Sequence, residues 1–315
     1  MNKSKGIKVV ATGRALPKEC LTNSDLEKLV ETSDEWIFDR TGIRQRYRCV
    51  KGEENTNTLA VNAARKALIK SGIDKNKIGV VVVATSSVEH VFPSTAAMVQ
   101  KELGLDEKVF CFDLSAACTG FIYGLTVARG LLLDSPKPYA LVIGSEQLSR
   151  LIDYTDRNTC ILFGDGAGAA IIELNDKEYY HVEYTRGNDE ALYIGGIGGG
   201  ERYLQMNGRE VFKFAVKALA QVIEELLEAA HKTIEDIDCV ICHQANERII
   251  RSVMKKYAGN EHKFYMNIES YGNTSAASVP IVMSELDENN NLKNKTCLMA
   301  GFGAGLTYGG ILASI

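Results

Sequence analysis

The sequence lacks the features that would place it in several specialised classes of protein. None of its apolar runs is long enough to span a bilayer, so we predict no association with a membrane. Its first residues, MNKSKGIKVVATG, contain no apolar stretch before Gly13, which argues against a secretory signal peptide. The formal net charge of −4 shows no basic excess, which argues against nucleic acid as a partner. These absences predict a cytoplasmic globular protein.

The eight cysteines are scattered singly and do not form a disulfide framework. Cys239 and Cys242 make a lone C-x-x-C within the apolar run IDCVIC. A zinc site would need a second pair or suitably spaced histidines, and neither is near. We interpret both residues as core strand residues and predict no metal and no cofactor. With 45% hydrophobic and 24% charged residues, the 315-residue chain can bury an ample core.

The stretch at 109–125, VFCFDLSAACTGFIYGL, changes from a strand pattern to a helix pattern. Its first four residues are apolar and β-prone, and good helix formers follow from Phe121. Between them, small residues leave Cys118 uncovered at the start of the helix, where unpaired N–H groups favour a thiolate. Taken alone, this stretch allows two interpretations of Cys118: a catalytic nucleophile or a buried structural cysteine.

The second half of the chain repeats the plan of the first. The helix at 58–71 and the strand at 78–84 are echoed by a helix at 211–230 and a strand at 237–242. The strand-to-helix stretch around Cys118 is echoed from 264 onwards, and 140–172 is echoed by 296–315. Two βαβ-rich halves, which we place at 1–174 and 175–315, would pack their sheets between helix layers. Corresponding turns would then meet, with Cys118 opposite Asn273.

Two polar residues stand where predicted strands of the second half end. His243 follows the buried strand at 237–242, and Asn273 lies at a strand-to-helix turn thirty positions later. Open α/β sheets place their sites at such carboxyl ends. The chain has only five histidines, and the other four lie in polar or irregular surroundings. A core histidine held by the backbone stays open for His243, but the pattern favours a nucleophile with two hydrogen-bonding partners.

Two groups of cations also stand out. The single tryptophan, Trp36, lies in a polar segment close to Arg40, where it is either a packing residue or a platform for a flat ligand. The helix after His243 carries Arg248 and Lys255 on one face, in a chain of opposite net charge. This second group is either a solvated face or a docking surface for an acidic partner.

Several motifs together resemble one known family. SAACTGF, FGDGAGAA, MNGREVFKFAV, HQANERI, GNTSAAS and GFGAGLTYGG are similar to β-ketoacyl-acyl-carrier-protein synthase III, the initiating condensing enzyme of type II fatty-acid synthesis. TSDEWIFDRTGIRQR and VFPS at 91–94 match as well, so the resemblance covers almost the whole chain. It implies an α/β, thiolase-like fold of two similar βαβ-rich halves in α-β-α-β-α layers, and a homodimer. It also implies that an acyl-CoA primer and malonyl-acyl-carrier protein condense through an acyl-cysteine.

The resemblance assigns roles to particular positions. Cys118 would carry the acyl group, while His243 and Asn273 would stabilise the enolate formed by malonyl decarboxylation. The backbone N–H groups of Cys118 and Ala304, the latter in the turn 303–305, would form the oxyanion hole. Phe92 would cross the dimer interface to close the partner's acyl pocket. The implied CoA contacts are Thr32, Trp36, Arg40, Arg157, Gly208 and Asn246. The implied carrier-protein contacts are Lys213, Gln244, Arg248, Lys255 and Lys256.

Three other functions are compatible with parts of the pattern. A related condensing enzyme that makes a polyketide-like or signalling product would keep the same triad. A Cys–His–Asn hydrolase would share the chemistry but would need no carrier-protein surface. A non-catalytic scaffold would be expected to lose a triad member, and none is lost. The loop at 186–205 is shorter and richer in glycine than its family counterpart, so the length and branching of the primer do not follow from the sequence.

Overall fold

The computed structural model describes residues 5–196 and 199–315, and its core is a pair of five-stranded sheets. Numbered along the chain, the strands are β1 (Gly6–Ala15), β2 (Glu19–Thr22), β3 (Gln45–Arg48), β4 (Ile78–Ala84), β5 (Phe110–Leu114), β6 (Tyr139–Glu146), β7 (Gly166–Asn175), β8 (Tyr179–Asn188), β9 (Leu192–Tyr193), β10 (Gln205–Met206), β11 (Cys239–Cys242), β12 (Phe264–Tyr265), β13 (Thr296–Gly303) and β14 (Gly305–Ser314). The helices are α1 (Asn23–Leu26), α2 (Asp34–Thr41), α3 (Thr56–Ser71), α4 (Thr95–Leu103), α5 (Gly120–Leu132), α6 (Arg157–Cys160), α7 (Gly208–Ala229), α8 (Glu247–Met254), α9 (Ile268–Tyr271) and α10 (Ser278–Glu288).

The two sheets have the same strand order. The first is β1-β7-β6-β4-β5, and the second, read from its β8 edge, is β8-β14-β13-β11-β12. In the first sheet β4 is parallel to β5 and β6, and in the second β11 is parallel to β12 and β13. The internal repetition predicted from the sequence is therefore confirmed. The chain passes from the first sheet to the second between Asn175 and Tyr179, and the division into domains at 174/175 stays a prediction.

The helices form three layers around the two sheets. Helices α5 and α10 lie between the sheets, α3 and α4 cover the outer face of the first, and α7 and α8 cover that of the second. Strand β4 is buried at every position, which explains its run of β-branched residues without alternation. The expected α-β-α-β-α architecture is confirmed. Within the described residues, no helix has the length and apolar character needed to cross a membrane.

Two helix ends coincide with residues that commonly begin or end helices. Ser94 accepts a hydrogen bond from the N–H of Ala97 at the start of α4, and Gly72 ends α3 with a left-handed φ of 65°. Helix α1 is a single turn that ends at Leu26. The chain leaves this helix at Glu27, whose carboxylate accepts a hydrogen bond from the N–H of Asp34 at the start of α2.

Candidate active site

Cys118 lies in the tight turn between β5 and α5, at the carboxyl end of the first sheet. The next residue, Thr119, fixes this turn through hydrogen bonds of its hydroxyl to the Ala116 carbonyl at 2.7 Å and the Thr307 hydroxyl at 2.8 Å. Cys118 itself is only 8% exposed. Burial raises its pKa to about 12, against the lowering effect of a hydrogen bond from the Ser275 side chain. The expected uncovered thiolate is therefore wrong: the free protein carries a thiol, because burial outweighs the helix terminus.

His243 follows directly after β11 and is held on one side of its ring only. Its backbone N–H donates to the Ala300 carbonyl at 2.8 Å, and its Nδ1 lies 2.7 Å from the Ser278 hydroxyl. The other ring nitrogen, Nε2, is buried and has no hydrogen-bond partner among residues 5–196 and 199–315. Burial lowers the pKa of His243 to about 3, so its ring is neutral at physiological pH. A core histidine satisfied by the backbone would have no such free nitrogen, so that alternative does not hold.

Asn273 is fixed by hydrogen bonds at its backbone and at its side-chain oxygen. Its N–H donates to the Leu162 carbonyl at 2.8 Å, and its own carbonyl accepts from the N–H of Gly164 at 3.0 Å. Its Oδ1 accepts a hydrogen bond from the N–H of Ser275 at 2.8 Å. With the amide oxygen occupied, the Nδ2 group remains as the end of the side chain that can donate to a ligand.

One cavity of about 850 Å³ is lined by Cys118, His243 and Asn273 together. These residues come from the turn before α5, the position after β11 and the turn before α10, which are separated along the chain but meet at the carboxyl ends of the two sheets. Aromatic side chains such as Phe302 form part of the wall, and the ring of Phe302 meets that of His243 edge-on at 5.3 Å between centroids. The cavity thus brings together one thiol and two hydrogen-bonding side chains, with both aromatic and polar residues in its wall.

The turn between β13 and β14 packs against Cys118. A Cβ atom at Gly303 would lie 2.8 Å from the backbone nitrogen of Cys118, so only glycine allows this approach. The half-buried Ala304 follows, and its carbonyl accepts a hydrogen bond from the Thr307 hydroxyl at 3.0 Å. Gly303, and not Ala304, is the residue of this turn that lines the cavity. The assignment of an oxyanion hole to the N–H groups of Cys118 and Ala304 stays a prediction.

Trp36 stands at the mouth of the cavity close to two guanidinium groups. The Arg40 and Arg157 side chains each lie 4.8 Å from the centre of its ring. Arg157 is held in place by a hydrogen bond to the Glu31 carbonyl at 2.9 Å. Trp36 also packs against the apolar cluster under α1 and α2, so the packing and platform interpretations both describe part of its surroundings. The hydroxyl of Thr32 is buried without a partner.

Gly208 and Asn246 begin the two helices that flank the mouth. Gly208 is the first residue of α7, and both residues line the cavity. Asn246 caps α8, since its Oδ1 accepts from the N–H of Arg248 at 2.9 Å, and its Nδ2 donates to the Arg40 carbonyl at 2.9 Å. Its side chain therefore ties α8 to the helix that carries Trp36. Of the six predicted CoA contacts, Thr32 and Arg157 lie outside the cavity lining.

The predicted carrier-protein contacts fall into two groups. Lys213, Arg248 and Lys255 are exposed and have no carboxylate within salt-bridge distance in the described part of the chain, whereas Lys256 pairs with Glu224 at 2.7 Å. Arg248 also lines the mouth of the cavity.

Gln244 does not belong with the surface cations, and the prediction for it is wrong. Its side chain is only 1% exposed, so it offers no surface to a partner. Its Nε2 donates to the Cys242 carbonyl at 2.8 Å and the Tyr265 carbonyl at 3.2 Å, and its Oε1 accepts from the N–H of Asn267 at 3.1 Å. Gln244 therefore joins β11 to β12 beneath the site.

Sequence reasoning named the motif GNTSAAS but gave its two serines no role. Ser275 positions the amide of Asn273 and hydrogen-bonds to Cys118, while Ser278 holds the ring of His243. The signal that could have identified them is a pair of hydroxyls three positions apart, one in the turn before the buried helix α10 and one at its first residue. Gly303 was named in the glycine turn, but its direct approach to Cys118 depends on the packing of distant strands.

Comparisons with known proteins agree with this geometry. Family models for 3-oxoacyl-[acyl-carrier-protein (ACP)] synthase III match residues 112–189, and for its C-terminal part residues 227–315. The β-ketoacyl-[acyl-carrier-protein] synthase III of Natranaerobius thermophilus is 44% identical over 97% of this chain and 98% of its own. The crystal structure of 3-oxoacyl-[acyl-carrier-protein] synthase III from Aquifex aeolicus has 41% identity and a TM-score of 0.92 over 98% of this chain and 100% of its own.

A priming β-ketosynthase from the R1128 polyketide biosynthetic pathway is also similar, with 31% identity and a TM-score of 0.90 over 99% of this chain and 97% of its own. The relatives with the higher identities all carry the synthase III name over nearly their full length. The chain therefore belongs to the β-ketoacyl-[acyl-carrier-protein] synthase III family, the condensing enzymes that initiate fatty-acid synthesis.

Proposed function

We propose that this enzyme transfers an acyl group from an acyl-CoA primer to Cys118 and condenses it there with malonyl-acyl-carrier protein. The products are β-ketoacyl-acyl-carrier protein, CoA and CO₂. One observation carries the proposal: Cys118, the unpartnered Nε2 of His243 and the donor end of Asn273 line the same cavity. A nucleophile facing two hydrogen-bond donors is what an acyl-cysteine condensation needs.

In the first half-reaction, the sulfur of Cys118 attacks the thioester carbonyl of acyl-CoA. The bond between the acyl carbon and Sγ forms, the bond to the CoA sulfur breaks, and CoA leaves with the thiol proton. Because burial raises the pKa of Cys118 to about 12, the thiol proton leaves as the attack proceeds rather than beforehand. The absent side chain of Gly303 leaves room beside the Cys118 N–H, which we place in the oxyanion hole with that of Ala304.

In the second half-reaction, His243 and Asn273 act as hydrogen-bond donors. If the Ser278 hydroxyl donates its proton to Nδ1 of His243, the ring proton lies on Nε2. Nε2–H and the Asn273 Nδ2–H then both donate to the thioester oxygen of the malonyl group, which becomes an enolate oxygen as CO₂ leaves. Burial lowers the pKa of His243 to about 3 in the free protein, so the ring is a neutral donor when the malonyl group arrives. The enolate carbon attacks the acyl-cysteine, and the Cys118 sulfur is released.

The mouth of the cavity fits the two carriers. Trp36 with Arg40 and Arg157 offers a flat, cationic platform for the adenine of CoA, and Thr32, Gly208 and Asn246 stand near the path of the pantetheine arm. An acidic carrier protein would dock on the exposed cations around the same mouth. We propose Lys213, Arg248, Lys255 and Lys256 for this docking surface.

We further propose that the enzyme works as a homodimer. The edge strand β5 carries Phe110 with 66% of its side chain exposed, and Phe92 is 84% exposed. Phe92 is not among the residues that line the cavity of its own chain, which supports a role at the acyl pocket of the partner. A solution mass equal to that of one chain would contradict this assignment.

Mass spectrometry of the intact protein after incubation with mixed acyl-CoAs tests the function. We expect a mass gain equal to one acyl group on Cys118, lost when malonyl-acyl-carrier protein is added and β-ketoacyl product forms. Cys118→Ala should gain no mass, while Cys111→Ala, in the preceding strand, should behave like the parent. An adduct that only hydrolyses would indicate a hydrolase instead.

The acyl group retained from the mixture also identifies the primer. Leu192, Tyr193 and Met206 of the β9–β10 ribbon line the cavity, so this ribbon sets the room for the acyl chain. If polyketide enzymes extend the carrier-bound product and fatty-acid enzymes do not, the result would favour a role in priming polyketide synthesis, as in the name of the similar R1128 β-ketosynthase.

A further inference from the structure

Arg46, in strand β3, is a buried cation without an anionic partner. Its side chain is 1% exposed and is among the largest fully buried ones. Across residues 5–196 and 199–315, no carboxylate lies within salt-bridge distance of its guanidinium, and its Nε has no hydrogen-bond partner. Burial lowers its pKa to about 10, so it stays charged at neutral pH. An uncompensated buried charge is destabilising, so this residue needs an explanation.

The Arg46 guanidinium links the two-stranded ribbon of β2 and β3 to the segment that follows α6. Its Nη2 donates to the Ile161 carbonyl at 2.7 Å, and its Nη1 donates to Oδ1 of Asn23 at 2.8 Å. Asn23 is itself fixed, because its Nδ2 donates to the Ile43 carbonyl and to Oδ1 of Asp34, both at 2.7 Å. Arg46 therefore anchors Ile161 to a rigid part of the molecule.

The anchored segment is the one that holds Asn273. The Leu162 carbonyl and the Gly164 N–H form the two backbone hydrogen bonds of Asn273, and Phe163 pairs with Asn273 as a parallel bridge. The stem of Arg46 lies directly under this bridge. A Cβ atom at Gly164 would be 3.0 Å from the Cβ of Arg46, and one at Gly272 would be 3.2 Å away.

The geometry points to Arg46 as a positioning residue for Asn273. By fixing segment 161–164, it sets where the Asn273 amide donates, and it thereby serves decarboxylation of the malonyl group. The turn that carries Cys118 is fixed through Thr119 and Thr307, and among the described residues Ser275 alone links its sulfur to the Asn273 turn, so we expect acyl transfer from CoA to depend much less on Arg46. This assignment rests on the role proposed above for Asn273.

Arg46→Lys, made in the full-length enzyme, separates the two half-reactions. We expect malonyl-carrier-protein decarboxylation to fall about tenfold to a hundredfold, because a small displacement of a reacting donor is costly, while Cys118 acylation stays within about threefold. Arg48→Lys is the matched control: Arg48 lies two positions along the same strand, pairs with Glu19 at the surface and should affect neither step. Equal losses in both steps for Arg46→Lys would overturn the proposal and leave Arg46 a purely structural role.

A double-mutant cycle tests whether Arg46 acts through Asn273. In an Asn273→Ala background, Arg46→Lys should cause no further loss of decarboxylation, whereas fully additive losses would overturn the assignment. If Asn273→Ala alone leaves decarboxylation unchanged, the proposed role of Asn273 fails, whatever Arg46 does. If Arg46→Lys does not fold, Asn23→Ser removes one guanidinium contact while keeping the charge. Asn23→Ser should then lower the decarboxylation rate by a smaller factor and leave the acylation rate unchanged. An equal loss in the acylation rate would count against the proposal.

Discussion

The two halves share one strand order, but the polar groups at their strand ends differ in kind. In the first half, Glu146 at the end of β6 accepts hydrogen bonds from the Ser87 hydroxyl at 2.6 Å, the Ser86 N–H at 3.1 Å and the Thr85 hydroxyl at 3.3 Å. In the second half, His243 at the end of β11 leaves Nε2 without a partner beside the cavity. The strand-end carboxylate of the first half is thus hydrogen-bonded within the protein, whereas among the described residues the strand-end histidine of the second half keeps one ring nitrogen without a partner.

Burial does not separate these two kinds of group, since Glu146 and His243 are both almost fully buried. What separates them is whether their hydrogen-bonding capacity is used inside the protein. A buried group whose partners are all present contributes to structure, whereas one with a free atom facing a cavity is available to a substrate. The first half contributes Cys118, the proposed nucleophile, from the turn before α5.

The largest loss of activity is expected when the residues that follow two matched strands, β4 and β11, are substituted. Thr85 follows β4 as His243 follows β11, and both are buried. His243→Ala should lower malonyl decarboxylation about a hundredfold to a thousandfold, because it removes a donor to the enolate oxygen. Thr85→Val should change the rate by less than about threefold, since its hydroxyl faces Glu146.

Both variants are assayed for decarboxylation of malonyl-carrier protein and for acylation of Cys118. Similar losses for Thr85→Val and His243→Ala would break the comparison, and parental decarboxylation by His243→Ala would remove its proposed role.

A smaller effect is expected from the surface cations, which belong to the second half. Arg248→Glu should lower kcat/KM for malonyl-carrier protein about tenfold, mainly through slower association, and added salt should bring the parent towards the variant. Acylation from acyl-CoA should be largely spared. The control is Arg65→Glu on α3 of the first half, an exposed arginine without a carboxylate partner among the described residues. Equal losses of kcat/KM with malonyl-carrier protein and with malonyl-CoA would mean that Arg248 is a solvated surface residue and does not contact the carrier protein.

The repeated plan could be predicted because it rests on local patterns. Strand β4 and its counterpart β11 appear as uninterrupted apolar runs, and His243 stands directly after the second of them. Strand β8 was not predicted. Its sequence, YYHVEYTRGN, is polar and largely exposed, and its strand conformation depends on pairing with β14, more than a hundred residues away.

The errors at the site have the same non-local origin. The sequence around Cys118 shows a helix terminus, but burial raises its pKa, and one of the segments packed against it is the turn at Gly303, about 185 positions away. Gln244 follows His243 in sequence, yet its side-chain amide is hydrogen-bonded to the backbone of Tyr265 and Asn267. Patterns within one element predicted which residues gather at the strand ends, but not which of them face inward.

The smallest effect on turnover is expected at Glu146, where the closed network of the first half should appear as a pH dependence of stability. Burial raises the pKa of this carboxyl from 4.5 to about 7, against the lowering effect of the Ser87 hydroxyl. A raised folded-state pKa means that the native state favours the protonated acid. The associated stability is complete below pH 4.5 and is lost as the pH rises through 7.

The variant Glu146→Gln tests this prediction because its side chain cannot ionise. As the pH rises from 4.5 to 8, the parent should lose about 3 kcal/mol of unfolding free energy relative to Glu146→Gln. Denaturant titrations across this range measure this relative change, with Glu102→Gln on the exposed face of α4 as the control that should show none. A constant difference between Glu146→Gln and the parent would mean that Glu146 ionises alike in both states, and a collapse of turnover would place it with the reactive groups of the second half.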